Sequence, residues 1–143
     1  LYLSGVFYQY RGQATGRLAK VSATSGALDT GFNANGTDGG IYALTADGSN
    51  LYLGGNAYTY DGVDIYRVAK VSLANGTLDR TFSPASGPNG LDGVQPRSPS
   101  AYAAATAMFF DGTNVVIGGT FTRYRDKQCD FIVTVGTDRA IAP

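Results

Sequence analysis

The chain repeats itself with a spacing of fifty residues. Residues 1–32 and 51–82 carry the same amino acid at 16 of 32 aligned positions. The shared residues are Leu1/Leu51, Tyr2/Tyr52, Leu3/Leu53, Gly5/Gly55, Tyr8/Tyr58, Tyr10/Tyr60, Gly12/Gly62, Arg17/Arg67, Ala19/Ala69, Lys20/Lys70, Val21/Val71, Ser22/Ser72, Gly26/Gly76, Leu28/Leu78, Asp29/Asp79 and Phe32/Phe82. A fixed period of this length is typical of repeat architectures, in which one unit cannot bury both of its faces alone. The repeat therefore constrains the fold more strongly than any local motif.

A third, weaker copy follows after an insertion. The pattern Asp-Gly-x-Asn, three apolar residues and Gly-Gly begins at Asp47 and again at Asp111, which is 64 residues later. The insertion, residues 83–100, holds four of the five prolines and is predicted to be an extended surface loop. The chain is therefore predicted to be one domain with units at about 1–40, 41–100 and 101–143.

Each unit is predicted to contain up to four short antiparallel strands. Apolar or alternating runs, such as residues 1–10 and 16–23, are separated by turns rich in Gly, Asn and Asp. The glycines at Gly54 and Gly55 interrupt a strand and predict a close backbone approach. Four-stranded units packed radially form a β-propeller, so the predicted fold class is all-β, a partial propeller of about three blades. A closed ring typically needs four to eight blades, so we expect a fragment, or a chain that assembles with others.

The repeated motif also resembles that of a known family. It runs aliphatic-Tyr-aliphatic-Gly-Gly, an aromatic residue, Tyr and Gly, then Arg-aliphatic-Ala-Lys, then Gly-x-Leu-Asp and Phe. This pattern resembles the delta-60 repeat β-propeller family and is similar to kelch-type and galactose-oxidase-like cell-surface propeller repeats. The resemblance covers residues 1–82 well and 107–124 in part. It implies an extracellular or cell-surface repeat region and no catalytic residues.

Composition excludes several classes of function for this chain. Eleven basic and 11 acidic residues give a net charge of zero, without the basic stripe that nucleic acid requires. No apolar run approaches the roughly 20 residues of a membrane-spanning helix. Histidine is absent and Cys129 is the single cysteine, so a Ser-His-Asp triad, an imidazole metal site and an intrachain disulfide are all excluded. We expect no cofactor and no metal.

Residues that recur in every unit are predicted to be structural, and residues unique to one unit are free to be functional. Arg17 and Asp29 recur as Arg67 and Asp79, which favours a structural charge pair over a ligand site. The aspartates next to glycine are predicted to be turn residues, because none shows the alternating Asp-x-Asp-x-Asp of a calcium loop.

The recurring tyrosines allow two interpretations of their role. Tyr8 and Tyr10, like Tyr58 and Tyr60, are two residues apart and so are predicted to share one strand face. Exposed, they would form a stacking platform for a sugar or a peptide; buried, they would fill the space between blades. Recurrence favours the buried reading.

Residues that do not recur are the candidates for interaction. Tyr66, Arg97 and Tyr102 are three such residues, the last two in or beside the insertion, and binding residues concentrate on loops held by a rigid scaffold. Asn35 and Asn75 begin Asn-Gly-Thr sequons in predicted turns and are candidate glycosylation sites.

The predicted function is a non-catalytic repeat scaffold or interaction module of a secreted or cell-surface protein. Its partner would be a protein, a glycan or another copy of itself, joined through open blade edges. One alternative is a carbohydrate-binding or carbohydrate-active propeller, a lectin, lyase or hydrolase, with its site on the central axis. Its only non-recurring carboxylates would be Asp64, Asp92, Asp126 and Asp130. Another alternative is a structural subunit of a surface layer or filament.

Overall fold

The chain forms β-strands and turns wherever the structure describes it. The computed structural model describes residues 1–32, 36–82, 103–125, 127–138 and 140. Within these ranges there are fourteen strands and no helix, so none that is long and apolar enough to cross a membrane. The strands are β1 (Tyr2–Ser4), β2 (Gln9–Tyr10), β3 (Gln13–Ala14), β4 (Leu18–Lys20), β5 (Ile41–Ala46), β6 (Asn50–Gly55), β7 (Thr59–Tyr60), β8 (Val63–Asp64), β9 (Val68–Ser72), β10 (Ala105–Phe110), β11 (Asn114–Gly119), β12 (Arg123–Tyr124), β13 (Lys127–Gln128) and β14 (Ile132–Gly136). The predicted all-β class is confirmed.

The longer strands form three antiparallel sheets. The first sheet is β1–β4, the second is β5–β6–β9 and the third is β10–β11–β14. The second and third sheets have matching registers: Leu53 pairs with Leu44 and Ala69, and Ile117 pairs with Met108 and Val133. Strands β5 and β10 each contain a bulge after their first residue. Strand β10 packs against β5 and β6, so the third sheet packs against the second.

A short hairpin follows the same strand of each sheet. These hairpins are β2–β3, β7–β8 and β12–β13. They correct one prediction, because residues 1–10 do not form a single strand: β1 ends at Ser4 and β2 begins at Gln9. The Gly5 N–H still donates to the Arg17 carbonyl oxygen at 3.2 Å, and the chain leaves the sheet after that bond. The apolar residues of this run therefore serve two different elements.

The predicted outer strand is reduced to a single bridge in each of the first two units. Val21 pairs with Leu28, and Val71 pairs with Leu78. The Asp79 N–H donates to the Lys70 carbonyl oxygen at 2.8 Å, which extends this pairing by one more bond. The second sheet is thus three-stranded, with a short fourth segment at its edge.

The predicted close backbone approach occurs at the last glycine of β6 and of β11. A Cβ atom on Gly55 would lie 1.9 Å from the Gly40 carbonyl oxygen. One on Gly119 would lie 2.0 Å from the carbonyl oxygen of Ala104. Only a residue without a Cβ atom allows the preceding chain to pass at this distance.

The sheets pack through two apolar clusters that use the same positions of the repeat. In one cluster the second sheet contributes Leu51, Leu53, Ala69 and Val71, and the first unit contributes Tyr2, Leu18 and Phe32. In the other the third sheet contributes Val115, Ile117, Val133 and Val135, and the second unit contributes Tyr52, Val68 and Phe82. We call the side of a sheet that carries Leu51 and its equivalents the front face, and the side that carries Tyr52 and its equivalents the back face. The front face of the second sheet therefore packs on the back face of the first, and the front face of the third packs on the back face of the second.

Candidate functional site

Two tyrosine–arginine pairs stand at equivalent places in the first and second units. Tyr8 lies just before β2 and Tyr58 just before β7, while Arg17 and Arg67 follow the hairpins that these strands begin. A hairpin reverses the chain, so a residue before it and a residue after it come together. The Arg67 N–H donates to the Ala57 carbonyl oxygen at 2.7 Å and closes the base of the second hairpin.

Both arginines have left-handed backbones. Their φ angles are 76° at Arg17 and 78° at Arg67, a conformation that is uncommon for residues other than glycine. Each guanidinium lies against the tyrosine ring of its own unit. The Arg17 guanidinium carbon is 4.2 Å from the centroid of the Tyr8 ring, and that of Arg67 is 4.5 Å from the centroid of Tyr58.

Each pair combines a buried cation with an exposed ring. Arg17 and Arg67 are 9% and 5% exposed, whereas Tyr8 and Tyr58 are 63% and 48% exposed. Contacts of this type contribute about 0.5–2 kcal/mol, the larger values applying where the cation is desolvated. Each guanidinium also donates a hydrogen bond to the hydroxyl oxygen of its tyrosine. Because that oxygen accepts from arginine, the phenolic O–H keeps its capacity to donate.

The segment from Gly36 to Gly40 connects the two pairs. Arg17 donates to the Thr37 carbonyl oxygen. The next residue, Asp38, accepts the backbone N–H groups of Tyr58 and Thr59 at 2.8 and 2.9 Å. The backbone that Arg17 holds thus fixes the loop that carries Tyr58. The two exposed rings belong to one continuous set of hydrogen bonds.

The predicted pairing of arginine with aspartate is wrong. The recurring aspartates pair with lysine: Lys20 Nζ is 3.2 Å from Asp29 Oδ2, and Lys70 Nζ is 3.4 Å from Asp79 Oδ2. The outer bridge sets this pairing, because it places each aspartate beside the lysine of the neighbouring strand. Burial opposes ionisation of Asp79, but hydrogen bonds from Thr81 and Lys70 outweigh it and lower its pKa.

The two tyrosines of each unit do not share one face, which corrects a second prediction. Tyr60 is fully buried and its hydroxyl donates to the Gly76 carbonyl oxygen at 2.5 Å; Tyr10 donates to the Gly26 carbonyl oxygen at 3.0 Å. Burial, with a smaller effect of the Asp61 charge, raises the pKa of Tyr60. The hairpin strands are only two residues long, so the alternation does not extend back to the preceding tyrosine. Tyr60 is therefore buried and Tyr10 half-buried, whereas Tyr8 and Tyr58 are exposed.

The third unit keeps the backbone of this site but not its side chains. Phe131 has a φ of 68°, and its N–H donates to the Phe121 carbonyl oxygen at 2.8 Å, as Arg67 does to Ala57. Phe131 is 62% exposed. The position equivalent to Tyr58 is Thr122. At these two positions the third unit therefore has neither the tyrosine nor the arginine of the other two units.

The other sequence candidates are dispersed. Tyr66 is half-buried beside the site, and its N–H donates to the Tyr58 carbonyl oxygen at 3.3 Å. Asn75 lies in an exposed turn, where its side chain accepts the Thr77 N–H at 3.1 Å. Arg97, Tyr102 and Asn35 lie outside the described residues. The non-recurring candidates therefore contribute one residue, Tyr66, to the surroundings of the exposed rings.

The aspartates of the turns bind their own backbone. Asp47 accepts the N–H groups of Ser49 and Asn50 at 3.0 and 2.8 Å, and the Tyr52 hydroxyl donates to it at 2.7 Å. Burial opposes its ionisation, but these bonds outweigh burial and lower the pKa of Asp47 to about 2. In the part of the chain that the structure describes, no group of three or more acidic, cysteine or histidine residues is placed to hold a metal ion.

Of the remaining candidates of the enzyme alternative, Asp64 lies in the hairpin that follows Tyr58, where it pairs with Thr59. Asp64 ends β8 and Asp130 follows β13, both exposed, while Asp92 and Asp126 lie outside the described residues. Cys129 is half-buried, and burial raises the pKa of its thiol.

Sequence reasoning missed the role of the recurring tyrosines and arginines because it assigned every recurring residue to structure. The signal that was present is, in each of the first two units, a tyrosine directly before the hairpin and an arginine three residues after it. Comparison of the chain with protein-family models, with curated proteins and with solved structures found no match in any of the three. The resemblance to the delta-60 repeat family stays a prediction from the sequence.

Proposed function

We propose that this chain is a non-catalytic interaction module of a secreted or cell-surface protein, and that it binds a protein or glycan partner through Tyr8 and Tyr58. The observation that carries the proposal is the pair of exposed rings, each backed by a buried arginine. Tyrosine and arginine are the residue types that dominate binding energy at protein interfaces. An exposed phenol with an apolar ring and an O–H donor also suits the mixed apolar and hydroxyl surface of a sugar.

Preorganisation supports this proposal. A tyrosine that is already held by its arginine loses little side-chain freedom when a partner binds, and such savings increase affinity. The Asp38 bonds to the Tyr58 and Thr59 backbones hold the loop of the second pair in the same way. The surface is therefore ready to bind without reorganising.

The scaffold of this module is a partial β-propeller in our proposal, with each sheet as one blade. Three features support it: the matching registers of the second and third sheets, the short fourth segment at the sheet edge, and the packing of β10 on β5 and β6. Radial packing of such blades presents equivalent loops on one rim. The tyrosine–arginine pairs would then be adjacent repeats on that rim.

A screen of wild-type protein against a glycan array and a phage-displayed peptide library tests the function. Each ligand obtained is then measured against the double variant Tyr8→Ser/Tyr58→Ser. Loss of about 2 kcal/mol at a binding hot spot corresponds to a roughly 30-fold weaker Kd, which is the expected effect. The single variant Tyr58→Phe keeps the ring but removes the hydroxyl, which is both a donor for a ligand and the acceptor of the Arg67 hydrogen bond, so a smaller loss than in the serine variant is expected.

The matched control is Phe131→Ser, which removes an exposed ring from the third unit, at the position equivalent to Arg67. It should leave affinity unchanged. A ligand that binds the double variant as tightly as wild type would place the binding surface elsewhere. Chemical conversion of a bound glycan, detected by mass spectrometry, would overturn the non-catalytic part of the proposal.

A further inference from the structure

Two more exposed side chains lie at the end of the second sheet from which the Tyr58 hairpin leaves. This is the end where β6 finishes at Gly55 and where β5 begins. The Asp38 carboxylate is exposed there, and so is Tyr42, the unpaired residue of the β5 bulge, which is 45% exposed. Both faces of this sheet are covered by neighbouring sheets, so these side chains do not belong to an uncovered sheet face.

Asp38 presents a fixed hydrogen-bond acceptor next to Tyr58. Its Oδ1 atom accepts the backbone N–H groups of both Tyr58 and Thr59, at 2.8 and 2.9 Å. Among the residues that the structure describes, none donates a hydrogen bond to the second oxygen, Oδ2. A carboxylate oxygen can accept two hydrogen bonds. The carboxylate is therefore held by one oxygen and can accept donors of a ligand with the other.

The Tyr42 ring is held against the segment that carries the Tyr58 loop. It packs on Gly40, where an added Cβ atom would lie 2.5 Å from Cε1 of that ring. Gly40 exchanges two hydrogen bonds with Asn56, at 3.1 and 2.7 Å, and Asn56 is two residues before Tyr58. The equivalent bulged residue of the third sheet is Thr106, so this second ring belongs to the second unit alone.

The charges next to Tyr58 have opposite signs. The Arg67 guanidinium covers one face of the ring, with its carbon 4.5 Å from the ring centroid, and the Asp38 carboxylate lies at the Tyr58 backbone. Arg67 would repel a cationic ligand on the free ring face, and Asp38 would repel an anionic one. A neutral ligand avoids both penalties. Its C–H groups can lie on the ring, and its hydroxyl groups can donate to the carboxylate.

We propose that this end of the second sheet binds a neutral oligosaccharide. One sugar residue would lie on Tyr58 with its hydroxyls donating to Asp38, and a neighbouring sugar residue would lie on Tyr42. The inference rests on the proposed function, because it names the ligand class of the same surface. It adds direct ligand contacts for two side chains, the Asp38 carboxylate and the Tyr42 ring.

Titration calorimetry with oligosaccharides of matched length tests the ligand class. The neutral probes are cellotetraose, mannotetraose and N-acetylchitotetraose. The charged probes are tetragalacturonate, which is anionic, and chitotetraose, which is the N-acetylchitotetraose chain with protonated amines at about pH 5.5. Wild type should bind at least one neutral probe about tenfold more tightly than either charged probe.

The variant Asp38→Asn tests the acceptor. It keeps an oxygen for the Tyr58 and Thr59 N–H groups but replaces Oδ2 by an amide donor, so binding of the neutral probe should weaken about tenfold. The matched control is Asp111→Asn. Asp111 also accepts two backbone N–H groups, at 2.8 and 2.7 Å, but in the turn at the opposite end of the third sheet. This control should leave the affinity unchanged.

The variant Tyr42→Ser tests the second ring. It should weaken binding of the tetrasaccharide about fivefold and leave binding of the corresponding monosaccharide, measured by NMR titration, unchanged. Loss of a purely structural contact would weaken both ligands alike. Equal affinities of wild type and Asp38→Asn for the neutral probe would likewise overturn the direct role of the carboxylate.

The outcomes also separate this inference from the proposed function. Wild type that binds peptides, loses them in Tyr8→Ser/Tyr58→Ser, and binds no neutral probe would overturn the saccharide inference and leave the proposed function in place. A preference for chitotetraose or tetragalacturonate would also overturn only the neutral class. A neutral probe that binds the double variant as tightly as wild type would overturn both proposals, because the binding surface would then lie elsewhere.

Discussion

Replacing Gly55 by alanine tests whether the close approach between β6 and the preceding chain is obligatory. The new Cβ atom would lie 1.9 Å from the Gly40 carbonyl oxygen and 3.0 Å from Cα of Ile41. Ordinary van der Waals contact begins at 3.4 Å, so the two segments would have to separate by about 1.5 Å. The obstacle is backbone, which cannot rotate aside as a flexible side chain can.

The cost follows from what that displacement disturbs. The Gly40 carbonyl oxygen accepts the Asn56 N–H at 3.1 Å, and the Gly40 N–H donates to Asn56 Oδ1 at 2.7 Å. Losing both bonds would cost about 1–3 kcal/mol, and overpacking typically costs about 1–3 kcal/mol more. We expect Gly55→Ala to reduce the free energy of unfolding by about 2–6 kcal/mol. This is a large share of the roughly 5–15 kcal/mol of a typical domain.

Urea unfolding followed by tyrosine fluorescence measures this loss, since the chain has ten tyrosines and no tryptophan. With a slope of about 1–3 kcal/mol per molar urea, the midpoint should fall by about 1 M or more. Gly5→Ala is the matched control at the same position of the repeat, because its new Cβ atom meets only the Phe7 side chain, at 3.3 Å. Its midpoint should move little. If Gly55→Ala unfolds within about 0.5 kcal/mol of wild type, the close approach does not require glycine.

Two further predictions concern buried and capped side chains. Tyr60→Phe should lower the free energy of unfolding by about 1–2 kcal/mol, because it leaves the buried Gly76 carbonyl oxygen without its donor. Tyr10→Phe should cost less, because its site is half-buried. Urea midpoints compare the two variants, and equal losses would contradict the burial argument. The pKa of Asp47 is about 2 in the folded chain against an ordinary value of 3.8, so the stability it contributes is present above pH 3.8 and is lost as the pH falls towards 2. Discounted for solvent screening, that loss is about 1 kcal/mol, and unfolding at stepped pH should show it in wild type but not in Asp47→Asn.

The fold class was predictable because it depends on patterns that recur within the chain. Strand-like runs at a fixed period, separated by Gly and Asx turns, leave few alternatives to short antiparallel strands. The Gly-Gly dipeptide likewise predicted the close approach that is found at Gly55. Local patterns could not give the exact extent of each strand. Residues 1–10 were expected to form one strand, yet the pairing stops after the hydrogen bond from the Gly5 N–H to the Arg17 carbonyl oxygen.

The candidate site was harder to predict because its geometry depends on backbone conformation. The left-handed φ of Arg17 and Arg67 directs each guanidinium to a tyrosine, although strand alternation alone would have placed it with the side chains of β4 or β9. The ion-pair partners of Asp29 and Asp79 likewise depend on the register of the outer bridge, which places each aspartate beside a lysine. Both features are set by tertiary hydrogen bonds, and neither can be read from residue spacing.

Residues that are identical in two repeats need not be equally buried. Leu1 and Leu51 are the same residue in the same local sequence, and one is 64% exposed while the other is 2% exposed. A repeat makes equal residues equivalent only when both of its neighbours are present, since each sheet needs a front and a back partner to bury its apolar faces.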